Sequence, residues 1–267
     1  MTLALCCASC ADLSAVAKFA STAETGSAGF SDIAADFAAS ATRRAGYVRE
    51  DEKPDVLKQA DKYKSLQPQM LAAQKVLTDY IAALAAISTD SAKARDASIG
   101  ATQDDLTKLG ISKSQAEAGI GLATKVTDAL TAAYRSNKTG NVIHDCNPLL
   151  QEYLKGLEQI AGTDYPLVIE NERSSAEGYY GDLLHSYGEK EPLAAVTIRL
   201  QEQSDFKAIE ARKKAAAAYM KILTDIGEGH QKLDDAGEHP DVKKLAIMVE
   251  PYVKDIASQT VQVVKAY

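Results

Sequence analysis

DVLKQADKYKSLQPQMLAAQKVLTDYIAALAAI, residues 55–87, carries the clearest periodicity in the chain. Val56, Tyr63, Met70, Leu77 and Leu84 recur at every seventh position, and Leu66, Ala73, Tyr80 and Ile87 do the same on a neighbouring track. The two tracks share one helix face, as in a coiled-coil seam. A helix over 55–88 spans about 50 Å at 1.5 Å per residue, the length of a long bundle. Pro68 lies inside it. Proline has no N–H to donate and its ring crowds the preceding turn, so a kink or a join between two helices is expected there.

Upstream, Ser31 and Asp32 open a helix with Ile33, Phe37 and Ala41 on its apolar stripe, running to about Glu50. Residues before Pro54 avoid the α region, which ends it. Downstream, Ile111–Ser114 restarts a helix carrying Ile120, Leu122, Val126, Leu130 and Tyr134, and 137–141 is a turn cluster. Pro148 opens a helix with Leu150, Tyr153, Leu154, Leu157 and Ile160, which Gly162 and Pro166 kink or break before it resumes to Tyr187. Gly188 and Pro192 mark a corner. Leu193, Val196, Leu200, Phe206, Ile209, Met220 and Leu223 are expected to line a second long helix ending near 227–237. Asp241 caps a last helix, whose stripe is Val242, Leu245, Val249, Val253, Ile256, Thr260, Val263 and Tyr267, with Pro251 as a kink or second start. The expected fold is all-α: one elongated antiparallel bundle of long, kinked helices, six to eight segments over residues 30–267.

Composition agrees. Trp is absent and Phe occurs four times in 267 residues, while alanine and other good helix formers dominate. That favours close packing of small residues. The net charge of −7 argues against nucleic acid, which needs a basic surface to meet phosphate. It also gives no attraction to an anionic membrane. Nothing after residue 10 supplies about 18 consecutive apolar residues, so no transmembrane helix is expected.

Three of the four cysteines lie in the first ten residues. Cys7-Ala8-Ser9-Cys10 follows a short apolar run, with Leu3 and Leu5 just upstream. This resembles the end of a bacterial lipoprotein signal, in which small residues precede a cysteine that becomes lipid-modified. The resemblance implies that residues 1–10 are a signal remnant with Cys10 as lipid anchor. It also implies a periplasmic location, the chain being held on a bacterial membrane without a spanning helix. Residues 11–29, rich in Ala, Ser, Thr and Gly, read as a flexible tether. With Cys10 acylated, Cys146 is a free thiol, expected to be buried; a Cys10–Cys146 bridge is the alternative.

Few residues suggest chemistry. His144-Asp145-Cys146 holds a nucleophile, a base and a carboxylate, but residues two apart on a helix point to different sides. Glu228, His230, Asp234, Asp235, Glu238, His239 and Asp241 form an acidic bend. There His230, Asp234 and His239 are the candidate metal ligands, with His230 and Asp234 four apart on one face. Paired Glu-x-x-His motifs for a di-iron centre and a Cys-x-x-Cys-His haem motif are missing, and no cofactor is implied. Tyr179 and Tyr180 are the candidate partner contacts, as aromatic side chains with a polar tip. Arg43-Arg44 and Arg212-Lys213-Lys214 read as solvated helix faces. The function expected is that of a non-enzymatic envelope lipoprotein whose bundle binds another protein. A ligand- or metal-binding bundle, or a cytoplasmic helical scaffold, is the alternative.

Overall fold

Residues 53–88 form one continuous helix in the computed structural model, which describes residues 9–89, 103–132, 139–188, 190–237 and 242–267. In chain order the helices are α1 (Ser9–Ser27), α2 (Phe30–Arg44), α3 (Lys53–Ser88), α4 (Gln103–Lys108), α5 (Lys113–Ala132) and α6 (Thr139–Gln159). A π-helical turn (Ile160–Asp164) leads into α7 (Tyr165–Tyr187), followed by α8 (Pro192–Asp235) and α9 (Val242–Val264). No strand occurs among the described residues; the fold is an all-α bundle. The 44 residues of α8 extend for about 66 Å. A compact domain of this chain length has a radius of gyration near roughly 18 Å, so the bundle is elongated.

The heptad seam is the core face of α3. Val56, Met70, Leu77, Leu84, Ala73 and Tyr80 are buried, while Tyr63, Leu66 and Ile87 are half-buried. An apolar window within α3, of mean hydropathy 1.4, is long enough to cross a membrane by composition; Leu77, Tyr80, Ile81 and Leu84 within it are core residues. Pro68, Pro148 and Pro251 all sit inside helices on exposed positions. Water can take the backbone carbonyl that each proline leaves unpaired, so the helices run on through them.

The expectation of a flexible tether over 11–29 is corrected. Most of that stretch is α1, with Val16, Phe19, Ala20 and Ala23 buried. Arg44 reaches Gln59, the Phe37 ring meets Tyr63, and Gln74 donates to the Ser27 carbonyl. So α1 and α2 form one interrupted track running antiparallel along the whole of α3. The small residues that suggested a linker serve close packing instead. A Cβ at Gly26 would lie 2.7 Å from the Ile256 Cγ2, and one at Gly229 would overlap the Phe19 ring. Gly26 also faces Ile222, and Gly29 faces Val263. Hence α1 is antiparallel to α8 but parallel to α9, because both flank α8.

This packing has a direct test. Gly229→Ala should lower stability by about 1–3 kcal/mol, since the buried Phe19 ring must shift. Gly178→Ala meets nothing within 4 Å and should gain about 0.5–1 kcal/mol from helix propensity alone. Chemical denaturation of the two variants checks both signs.

Two boundaries differ from expectation. α2 ends at Arg44 rather than near Glu50. α6 begins at Thr139, so Pro148 lies inside it rather than at its start. The π-helical turn carries Gly162, where a Cβ would lie 2.6 Å from the Met220 sulfur; the wider turn brings a bare backbone against α8. Tyr134 and Asp241 lie outside the described residues.

Candidate functional site

The hairpin of α7 and α8 carries several exposed large apolar side chains, among them Tyr179, Tyr187, Leu193, Val196 and Leu200. The two helices pair antiparallel, through Glu172 with Arg212, Arg173 with Glu210, and Tyr180 with Asp205. At its flank, the turn after α2 brings the Tyr47 ring 5.8 Å from Tyr179 and 6.1 Å from Tyr180. Tyr47 and Tyr180 both donate to Asp205 Oδ2, at 2.8 and 2.5 Å. Tyr180 is thereby a core residue, 3% exposed, and the expectation that it meets a partner is corrected; Tyr179 keeps 38% of its surface.

Beyond Tyr180 and Asp205 the hairpin projects. Leu193, Val196 and Leu200, at i, i+3 and i+7, are 86%, 56% and 62% exposed. They were expected to line the core. Leu193 lies about ten helical turns from Gly229, on the same face of α8. Around Ile222 and Gly229 that face is covered by α1 and α9. The cover reaches only as far as Tyr267, whose hydroxyl meets that of Tyr165 at 2.5 Å, beside Asp36 and Arg212. Past that level the apolar stripe continues with nothing over it among the described residues.

The other end of α8 holds a buried polar cluster. His230 lies within α8 rather than in a bend, and is buried. Its Nδ1–H donates to Asn147 Oδ1 at 2.9 Å, and Tyr80 donates to Nε2. Asn147 in turn donates to Gln231 Oε1 at 2.7 Å and Asp234 Oδ2 at 3.0 Å. Asp234 Oδ1 meets the Nδ1 of the exposed His144 at 2.8 Å. Both His230 nitrogens are therefore used inside the core, and the expectation that His230 and Asp234 share a metal-facing surface is corrected. His239 lies outside the described residues. Burial pushes the His230 imidazole down to about 4. The Cys146 thiol is buried beside Tyr80, with its pKa pushed up to about 11 by that burial. His144 points outward, so the nucleophile and the base of that tripeptide do not meet.

A third cluster was missed by the sequence reading. Asp36, Glu172 and Arg212 are buried, with Arg43 at their edge. Arg212 grips Glu172 with both terminal nitrogens, at 2.8 and 2.9 Å. Arg43 bridges Asp36 at 2.7 Å and Glu172 at 2.9 Å. Ser40 donates to Glu172 and Tyr165 to Asp36. Arg43 and Arg212 are thus not solvated faces. The readable signal was a charge inside an apolar stripe: Glu172 lies four residues from Val168 and from Ala176, and Arg212 lies between Ile209 and Ala216. The two positive and two negative charges tie α2, α7 and α8 together. At the α8–α9 side, buried Asp225 binds Lys221 at 2.5 Å through Oδ1, and its Oδ2 has no hydrogen-bond partner among the described residues.

Compared with protein-family models, curated proteins and solved structures, the chain matches none.

Proposed function

We propose that this chain is a non-enzymatic lipoprotein of the bacterial cell envelope whose helical bundle docks a protein partner through the α7–α8 hairpin. The observation that carries the docking is the Leu193–Val196–Leu200 stripe, an apolar helix face open to water on a projecting element. Such faces are recognised by amphipathic helices, which bury matching i, i+3 and i+7 side chains. The anchor rests on the Cys7-Ala8-Ser9-Cys10 resemblance. Cys10 falls in the first turn of α1, and the buried face of α1 is already present at Ala15. A lipid on Cys10 would then join the bundle within two helical turns and stand it on the membrane by that end. The hairpin face would lie about 55–65 Å away along α8, presented outward.

Two measurements test this reading. Expressed in a bacterium from its genomic start codon, the protein should partition into membranes with acyl chains on Cys10, and Cys10→Ser should release it folded. An unmodified Cys10 by intact mass spectrometry removes the envelope half. A photo-crosslinking residue at Leu193 or Leu200 should yield protein adducts in cells that the same residue at the exposed Ile247 of α9 does not. Equal labelling from both faces removes the docking half.

A further inference from the structure

We infer that the partner at this face is a second copy of the chain, packed antiparallel through its own Leu193–Val196–Leu200 stripe; the inference rests on the docking reading above. The two-fold axis passes between Val196 and Thr197, so that Leu193 meets the partner's Leu200 and Leu200 meets the partner's Leu193.

Three observations carry it. The first is continuity. The lower part of this α8 face is already a helix-packing surface, filled by α1 and α9. An antiparallel copy of α8 runs in the same direction as α9 and takes up its line beyond Tyr267. The second is fit. In that register the partner's hairpin turn comes level with Asp205, short of the Arg212 level where α9 ends, and the two bodies extend away from each other. A parallel pair would drive the partner's α1 and α9 into the space that α1 and α9 occupy here.

The third is area and charge. Leu193, Val196 and Leu200 expose roughly 350 Å² per copy; with exposed Thr197, Gln203 and Ser204 the pair buries at most about 1,200 Å², the low end of the range of specific interfaces. Thr197, Gln203 and Ser204 are uncharged. Over residues 192–208, Arg199 and Lys207 balance Glu202 and Asp205. This segment of α8 is neutral in a chain of net charge −7, although the residues before it add Glu189, Lys190 and Glu191.

The test uses the full chain with Cys6, Cys7 and Cys10 replaced by serine, so that it does not depend on lipidation. Light scattering and sedimentation velocity should report a dimer at micromolar concentration. Leu193→Glu and Leu200→Glu should each weaken it at least 100-fold with unchanged circular dichroism and melting, because both positions are exposed. Ile247→Glu should leave it intact. Val196→Cys should be joined to its partner by a short bismaleimide, whereas Lys207→Cys should not, since the antiparallel register separates those positions by about 30 Å. A Lys207→Cys crosslink, or a dimer indifferent to Leu193→Glu, overturns the inference. A monomer at every concentration also overturns it. In that case adducts from Leu193 to a different protein in cells leave the docking reading standing, and no adducts remove both.

Discussion

Arg212→Met should lower the unfolding free energy by about 3–5 kcal/mol, the largest loss expected from a single polar substitution in this bundle. Arg212 supplies both bonds of a bidentate grip on Glu172 and a third contact to Asp36 at 3.4 Å. Methionine fills a similar volume, so the core is not emptied. What remains is a pair of buried carboxylates with Arg43 as their one cation among the described residues, beside the hydroxyls of Ser40 and Tyr165. Desolvation already holds the Glu172 carboxyl above its usual range, against the pull of Ser40 and Arg43. Without Arg212 it rises further and takes up a proton in the folded state. A carboxyl whose folded pKa lies above its unfolded value contributes stability at low pH and loses it as pH rises. The cost of Arg212→Met should therefore be larger at pH 8 than at pH 5, as measured by urea unfolding. A second substitution, Glu172→Gln, made on top of it should restore part of the loss by removing the stranded charge. A cost below about 1 kcal/mol, flat with pH, would show that the charges are solvated in solution.

Acidification should cost the bundle about 3 kcal/mol through His230 alone. The unfolded imidazole titrates at the ordinary value of 6.5 and the folded one at about 4, because burial disfavours the cation more than Asp234 favours it. Between those values the unfolded chain binds the extra proton, so stability falls with pH. The contribution is complete above pH 6.5 and is lost as pH falls through that window to about 4, at about 1.36 kcal/mol per unit. The geometry gives the same sign. A second ring proton would point at the Tyr80 hydroxyl, which now donates to Nε2. Its neighbours, Asn147 and the buried thiol of Cys146, offer no charge to offset it. Glu172 and Asp225, whose carboxyls burial holds up, push stability the other way on acidification. The measurement is thus a difference: unfolding free energy between pH 8 and pH 4 for the wild type against His230→Gln, which keeps a polar side chain without the titration. Equal slopes would mean that water reaches His230.

Much of the fold is legible in local sequence pattern. The seven-residue tracks over 56–87 named the buried face of α3, and Leu245, Val249, Val253, Ile256 and Val263 named that of α9. Local periodicity decides such faces because any packed helix must bury its apolar stripe, whatever its neighbour is. Gly188 and Pro192 likewise marked the hairpin turn, since each acts on the backbone within a residue or two. The N-terminal third of α8 was misread for the same reason. Leu193, Val196 and Leu200 have the spacing of a core stripe, and spacing does not reveal whether a neighbouring helix reaches that far.

The sequence by itself determined that this chain is helical, how long α3, α8 and α9 run, and which side of most helices turns inward. The tertiary structure alone decided where α1 lies. Its alanines and glycines suit a tether and a tight helix contact equally, and only the meeting of Gly26 with Ile222 and Ile256, and of Gly229 with Phe19, separates the two. It alone decided the fate of the polar groups as well. Asp36, Arg43, Glu172 and Arg212 are far apart in sequence, as are Tyr80, Asn147 and His230. Whether a charged or titratable side chain is solvated or buried depends on partners brought in from other helices, over distances that no local pattern encodes.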